Sequence, residues 1–215
     1  SRGYYFLEDK DKALSEIRLA IRADPKEMDY IASRTDLYYI KKESDKANAE
    51  YEKLVSNKPG QRTGYLRIGK NFLAQKYYDA AIEKFNDAMK LDEEFSQPYA
   101  FRADCFIGKG DYRSAAQDLV KALEIDANNR AFSMMVECND TCYENIIVLM
   151  NIKASSDTKE TDWDYFLGVA HQGHNHFRDA IVNYKKSLEK EPHSLTCENI
   201  AECYGELGDY TRAHQ

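Results

Sequence analysis

Apolar and small residues recur along this chain at helical spacing, and short polar breaks separate the runs. The stretch from Tyr65 to Asp92 shows the pattern most clearly. It reads Tyr-x2-Ile-Gly-x2-Phe, breaks at Gln75-Lys76-Tyr77-Tyr78, and resumes as Ala81-x3-Phe85-x2-Ala88 before Leu91-Asp92. That predicts two helices joined by a tight turn, each with one apolar face. The pattern returns at a fixed interval: Tyr65 is followed by Tyr99, Gly69 by Ala103, Phe72 by Phe106, Tyr78 by Tyr112, Ala81 by Ala115 and Ala88 by Ala122. Small residues stay small and large ones stay large, as a repeated packing contact requires.

The period and these positions resemble the tetratricopeptide repeat, a helical hairpin of about 34 residues. Its signature is an aromatic at position 4, Leu-Gly at 7 and 8, an aromatic at 11, Ala at 20, an aromatic at 24, Ala at 27 and Pro at 32. Position 1 falls on Arg62 in this chain. One unit earlier, Tyr38, Ala47, Tyr51 and Pro59 take positions 11, 20, 24 and 32; before that come Ala13, Ile17, Ala20 and Pro25. Downstream, Leu167-Gly168, Phe177, Ala180, Tyr184 and Pro192 match a unit beginning at Thr161, followed by Ala201, Tyr204, Gly208-Asp209-Tyr210 and Ala213. Residues 130–160 keep helical spacing at Phe132, Met135 and Val136 and at Ile146, Ile147, Met150 and Ile152, but lose the alanine pair. The polar run Ser155-Ser156-Asp157-Thr158 predicts a loop.

The resemblance implies an all-α fold, a right-handed α-solenoid (superhelix) of antiparallel helical hairpins, spanning 1–215 as a single array. Its expected units are a partial repeat at 1–27, repeats at 28–61, 62–95 and 96–129, a divergent repeat at 130–160, a repeat at 161–193 and a truncated one at 194–215. Gly69, Ala103, Gly168 and Ala201 are expected where a first helix crosses its own second helix, because a small side chain lets the axes close to about 8–10 Å. The Gly-Asp-Tyr runs at Gly110 and Gly208 are read as turns, with Gly ending one helix and Asp capping the next.

Composition narrows the function. Of the 215 residues, 43% are hydrophobic and 31% charged, and the net charge is −7. An acidic chain repels phosphate backbones and anionic membranes, so nucleic acid is not expected as a partner. The longest apolar run is Ile146-Ile147-Val148-Leu149-Met150, far short of the roughly 20 residues that span a bilayer, so no membrane insertion is expected. Five cysteines at irregular spacing do not read as a disulfide framework and point to a reducing, cytoplasmic compartment. A periplasmic or exported location stays open, since the chain starts at Ser1 without an initiator Met and its two ends fall inside repeats.

Little in the sequence reads as catalysis. His171-x2-His174-x-His176, with Cys197 or Cys203 as further ligands, raises a metal site. The repeat accounts for these histidines otherwise: His171 takes aromatic position 11 and the other two take the turn. Cys138-x3-Cys142 lacks the second pair that a structural zinc site usually has. Gly108-Lys109-Gly110-Asp111 is a hairpin turn and not a phosphate loop. No enzyme activity, cofactor or metal is expected.

What remains is the concave groove that the resemblance implies, lined by first-helix positions 2, 5, 6, 9, 12 and 13. These include Tyr39, Ile40, Leu66, Arg67, Lys70, Leu73, Phe101, Asp104, Ile107, Tyr165, Phe166 and Val169. Many are apolar, which suits an extended or helical peptide with hydrophobic anchors. The expected function is therefore a protein–protein interaction scaffold holding a partner protein or peptide in that groove. Two alternatives stand beside it: a structural subunit that self-associates, and a helper domain of a larger enzyme or receptor. A carboxylate clamp for chaperone tails, as some family members carry, is not expected. Its five positions hold Ala32, Asp36, Arg67, Gln97 and Phe101 here, where Lys, Asn, Asn, Lys and Arg are needed.

The register makes a direct prediction. Ala115→Leu lowers stability by about 1–3 kcal/mol through overpacking, whereas Lys121→Leu is near neutral; equal shifts in melting temperature would refute the register.

Overall fold

In a computed structural model of the protein, the described residues are 10–23, 30, 33–35, 37–38, 41, 43, 46–47, 49–50, 56, 61–126, 129–156 and 161–213. They are helical or in turns, with no strand among them. Among the described residues, no helix is long and apolar enough to cross a membrane. Contacts divide the chain into two compact units, Ser1–Phe101 and Arg102–Gln215.

In the first unit, α1 (Lys10–Ala23) packs Ala13 and Leu14 against Leu37, with Ile17 and Tyr38 partly buried around them. The helices α2 (Gln61–Ala74) and α3 (Tyr78–Leu91) form a hairpin. Its buried face holds Ile68, Gly69, Ala81, Phe85, Ala88 and Met89. The unit boundary falls within α4 (Ser96–Lys109), whose first turn takes in Pro98. Proline there forfeits an N–H that no helical carbonyl needs.

The second unit continues with α5 (Tyr112–Ile125), α6 (Asn129–Glu137), α7 (Asp140–Ser156), α8 (Trp163–Gly173), α9 (Phe177–Lys190), α10 (Ser194–Glu206) and the short α11 (Tyr210–Ala213). Each helix from α5 to α11 packs on its neighbour in sequence; in addition, α7 packs on α5 and α8 on α6. The stretch at 130–156 is itself a hairpin, with a bend at Cys138 and Asn139. Helix α7 runs to Ser156, so Ser155 and Ser156 are helical where the polar run predicted a loop. The Ser155 hydroxyl donates to the Asn151 carbonyl at 2.8 Å, which lets a polar residue sit within the helix.

The four turns between α2 and α3, α4 and α5, α8 and α9, and α10 and α11 share one construction. Each has one left-handed residue: Lys76 (φ 63°), Gly110 (φ 79°), Asn175 (φ 62°) and Gly208 (φ 75°). In each, the N–H that follows reaches back to a carbonyl in the last turn of the preceding helix: Tyr77 to Phe72 O and Asp111 to Phe106 O at 2.9 Å, His176 to His171 O at 2.8 Å, and Asp209 to Tyr204 O at 2.9 Å. This is the Schellman helix end, which satisfies carbonyls the helix leaves open. Asp111 then caps α5 by accepting from the Ser114 N–H at 3.2 Å.

Close approach within the hairpins rests on two glycines. A Cβ on Gly69 would lie 2.5 Å from Phe85 Cε1, and one on Gly168 would lie 2.5 Å from Tyr184 Cε1. Both rings are fully buried, so a methyl group at either glycine would have to displace a packed ring. Between α4 and α5 the link is ionic. Arg102 donates to both carboxylate oxygens of Asp118, at 2.7 and 2.6 Å. Burial pushes the Asp118 carboxyl above its ordinary value; Arg102 draws it back, but burial is the larger effect.

Two predictions arise from these contacts. Gly168→Ala lowers unfolding free energy by about 1–3 kcal/mol, whereas Gly205→Ala, with open space around its Cβ, is neutral or stabilising by up to about 1 kcal/mol; urea titration of both distinguishes them. Arg102→Met leaves Asp118 buried without its counter-charge and lowers stability by about 3–5 kcal/mol near neutral pH. A carboxyl with a raised folded-state pKa holds its proton more tightly when folded, so that deficit shrinks on acidification, which melts in a pH series will read.

Candidate functional site

Three helices of the second unit, α6, α8 and α10, frame a pocket of about 340 Å³. Phe132 and Val136 come from α6, Tyr165, Val169, Gln172 and Gly173 from α8, and Asn199 from α10, with Tyr184 of α9 also in the wall. The helical rise explains the grouping. Tyr165, Val169, Gln172 and Gly173 stand at intervals of four and three residues and so share a face of α8. Gly173 keeps the far end narrow: a Cβ there would meet Val136 Cγ1 at 2.7 Å.

Tyr184 is the hub of the pocket's polar end. Its hydroxyl donates to Gln172 Oε1 at 2.6 Å, and Gln172 Nε2 donates onward to Glu202 at 2.8 Å. The Asn199 amide bonds to the same phenol, while burial pushes that phenol far above its ordinary pKa. Both amides are thereby held by protein partners, with Gln172 and Asn199 only half-buried. The arrangement is an apolar wall with amide groups at one end. It suits an apolar side chain flanked by peptide groups.

Of the residues the sequence assigned to a groove, Tyr165 and Val169 line this pocket. Tyr39 and Ile40 lie outside the described residues. Leu66 and Phe166 are 5% and 7% exposed, and so belong to the packing. Phe166 meets Phe132 edge-on at 5.4 Å and Trp163 at 5.6 Å, filling the seam between α6 and α8. In the first unit Arg67 and Leu73 are half-buried and Lys70 is exposed. The Lys70 ammonium sits 4.9 Å over the Phe101 ring, which stacks on Phe85 at 5.9 Å. Asp104 pairs with Arg130, and Ile107 is half-buried. Gln172, Gly173 and Asn199 were legible by the same positional rule, at 12, 13 and 6 of their units. Phe132 and Val136 were not, because residues 130–160 carry no signature to count from.

A second constellation gathers the histidines around Tyr143. The Tyr143 hydroxyl lies 2.7 Å from Nδ1 of both His171 and His176, and its ring stacks on His174 at 4.2 Å. Asp179 joins His171 and His176 in a group whose ligand atoms lie within 4.8 Å of one another. Burial lowers the His171 pKa against the pull of Asp179, and burial with Asp179 pushes the Tyr143 phenol up to about 12. The sequence had paired these histidines with Cys197 or Cys203. Instead Cys203 is in the core with Ala180, Ile181 and Tyr184, and Cys197 is exposed.

Residues 96–129 match the family profile described as Tetratricopeptide repeat. The chain is 32% identical over 133 residues to sperm-associated antigen 1 of Rattus norvegicus, a match covering 58% of this chain and 15% of that protein. It is 31% identical over 88 residues to Hsc70-interacting protein 1 of Drosophila melanogaster, covering 41% of this chain and 23% of the relative. The chain therefore spans less than a quarter of either relative. Two solved structures share the fold. A tetratricopeptide repeat protein from Parabacteroides merdae is 16% identical with a TM-score of 0.51, covering 95% of this chain and 83% of its own. A thermophilic TPR protein of Thermus thermophilus is 15% identical with a TM-score of 0.51, covering 92% and 90%. Residues 96–129 thus match a tetratricopeptide repeat, and the described helices around them share the fold of tetratricopeptide repeat proteins.

Proposed function

We propose that the chain is a protein–protein interaction scaffold, and that the pocket between α6, α8 and α10 takes an apolar anchor from an extended segment of a partner protein. The observation that carries this reading is the pocket itself: Phe132, Val136, Tyr165 and Val169 beside the amides of Gln172 and Asn199. A cavity of about 340 Å³ is at the small end of ligand pockets. It matches one large side chain with its flanking peptide groups. Burying a Leu or Phe there contributes about 1.5–3 kcal/mol, and the half-buried amides would fix the register of the partner's backbone.

One relative is named for interaction with Hsc70, which raises a chaperone tail as the partner. The residues argue otherwise, because a carboxylate clamp needs cations where this chain has Ala32, Gln97 and Phe101. The reading is therefore an apolar anchor and not a terminal carboxylate.

Selection of a random peptide library on the immobilised chain tests this. Selected peptides share an apolar anchor and bind Val169→Glu at least about tenfold more weakly, a loss near 1.4 kcal/mol. Val182→Glu, on an exposed position of α9, binds as the parent does, and circular dichroism verifies that both variants stay helical. Peptides that bind both variants equally would remove the pocket from the function.

A further inference from the structure

Tyr143, at the start of α7, holds two imidazoles at once. Its hydroxyl is 2.7 Å from Nδ1 of His171 and 2.7 Å from Nδ1 of His176. A phenol has one proton, so it donates to one nitrogen and accepts from the N–H of the other. The two rings thus aim the same nitrogen at one point, although they come from different elements. His171 is in the last turn of α8, and His176 is the cap residue of α9. The left-handed Asn175 and the 2.8 Å bond from the His176 N–H to the His171 carbonyl fix that convergence in the backbone. Asp179 lies in the first turn of α9, three residues after His176 and so on the same side of the helix.

We propose that His171, His176 and Asp179 form a binding site for a divalent transition-metal ion of the zinc type. The donor set selects the metal. Two imidazole nitrogens and one carboxylate oxygen suit zinc, whereas calcium and magnesium take mostly oxygen ligands. One ionised carboxylate with two neutral imidazoles leaves a net negative pocket for a dication. The ligand atoms lie within 4.8 Å of one another; a tetrahedral zinc with bonds of about 2.0–2.2 Å needs them about 3.3–3.5 Å apart. That closure is within reach of side-chain rotation, since His176 and Asp179 are exposed and His171 is half-buried.

Both imidazoles would bind through a neutral Nδ1 and carry their N–H on Nε2. The ion replaces the Tyr143 hydroxyl at the convergence point, so the phenol is its competitor. Three protein ligands leave a fourth position to water or to a group from a partner. Bound zinc would clip the α8–α9 turn shut in exchange for the bond that ties this turn to α7. The proposal does not depend on the peptide reading, for none of the three ligands lines the pocket.

The test uses the tag-free chain, freed of metal with a chelator and titrated with zinc chloride in a calorimeter. One ion binds per chain, and the melting temperature rises with zinc concentration as binding to the folded state requires. His176→Ala and Asp179→Asn each weaken binding at least about tenfold, the scale on which coordination partners act. Cys197→Ser, which removes the exposed thiol, binds as the parent does. Cobalt in place of zinc gives tetrahedral d–d absorption without a thiolate charge-transfer band. Tyr143→Phe, which vacates the convergence point, binds zinc at least as tightly as the parent. The proposal is overturned if no ion binds, if His176→Ala and Asp179→Asn bind as the parent does, if cobalt shows thiolate ligation, or if Tyr143→Phe loses binding.

Discussion

The hairpins depend on how closely two helices can approach, and in two of them that limit is set where a glycine meets an aromatic ring. Gly69 lies under Phe85 and Gly168 under Tyr184, with no room for a methyl group in either place. Interiors pack as densely as organic crystals, so a buried ring cannot move aside without opening a gap elsewhere. Tyr184 shows how far the consequences reach. Pinned against α8 by Gly168, the ring also presents its hydroxyl to Gln172 and Asn199. A packing contact inside one hairpin therefore orients the polar end of a pocket framed by three.

Where the glycine is missing, another device takes over. At the corresponding place in α4 stands Ala103, and the same helix also reaches α5 through the half-buried Arg102, paired with the buried Asp118. The divergent hairpin departs further. Its first helix, α6, is only nine residues long, and α7 packs on both α5 and α8. The short α6 brings Phe132 and Val136 to the pocket, while Tyr143 of α7 takes up the histidines of the α8–α9 turn.

The hairpins were legible in the sequence because their causes are local. Alanines at helical spacing, a Gly-Asp-Tyr turn and an aromatic near each alanine leave the same mark in unit after unit. The left-handed turn position was legible at Gly110 and Gly208, where glycine is the ordinary occupant. It was not legible at Lys76 and Asn175, where the surrounding turn imposes the same conformation on other residues. The pocket was half visible: counting positions reached Tyr165 and Val169, but the same count took in Leu66 and Phe166, which are buried in the fold. Burial of that kind depends on which helix lies opposite, and no spacing within one helix records it. The grouping of His171, His176 and Asp179 was hidden for a related reason. The histidines looked like turn residues, and Asp179 looked like one more charge on a solvated helix; only the folded turn brings the three together.

The glycine–ring contact has a further consequence for recognition. Gly168 does not line the pocket, yet it sets how deeply the Tyr184 ring sits against α8, and so the depth of the pocket wall that this ring supplies. Substitution at such a position would alter the shape of the pocket while leaving every lining residue in place. If the pocket takes an anchor as proposed, its selectivity is set in part from behind the lining, at residues such a partner would not touch.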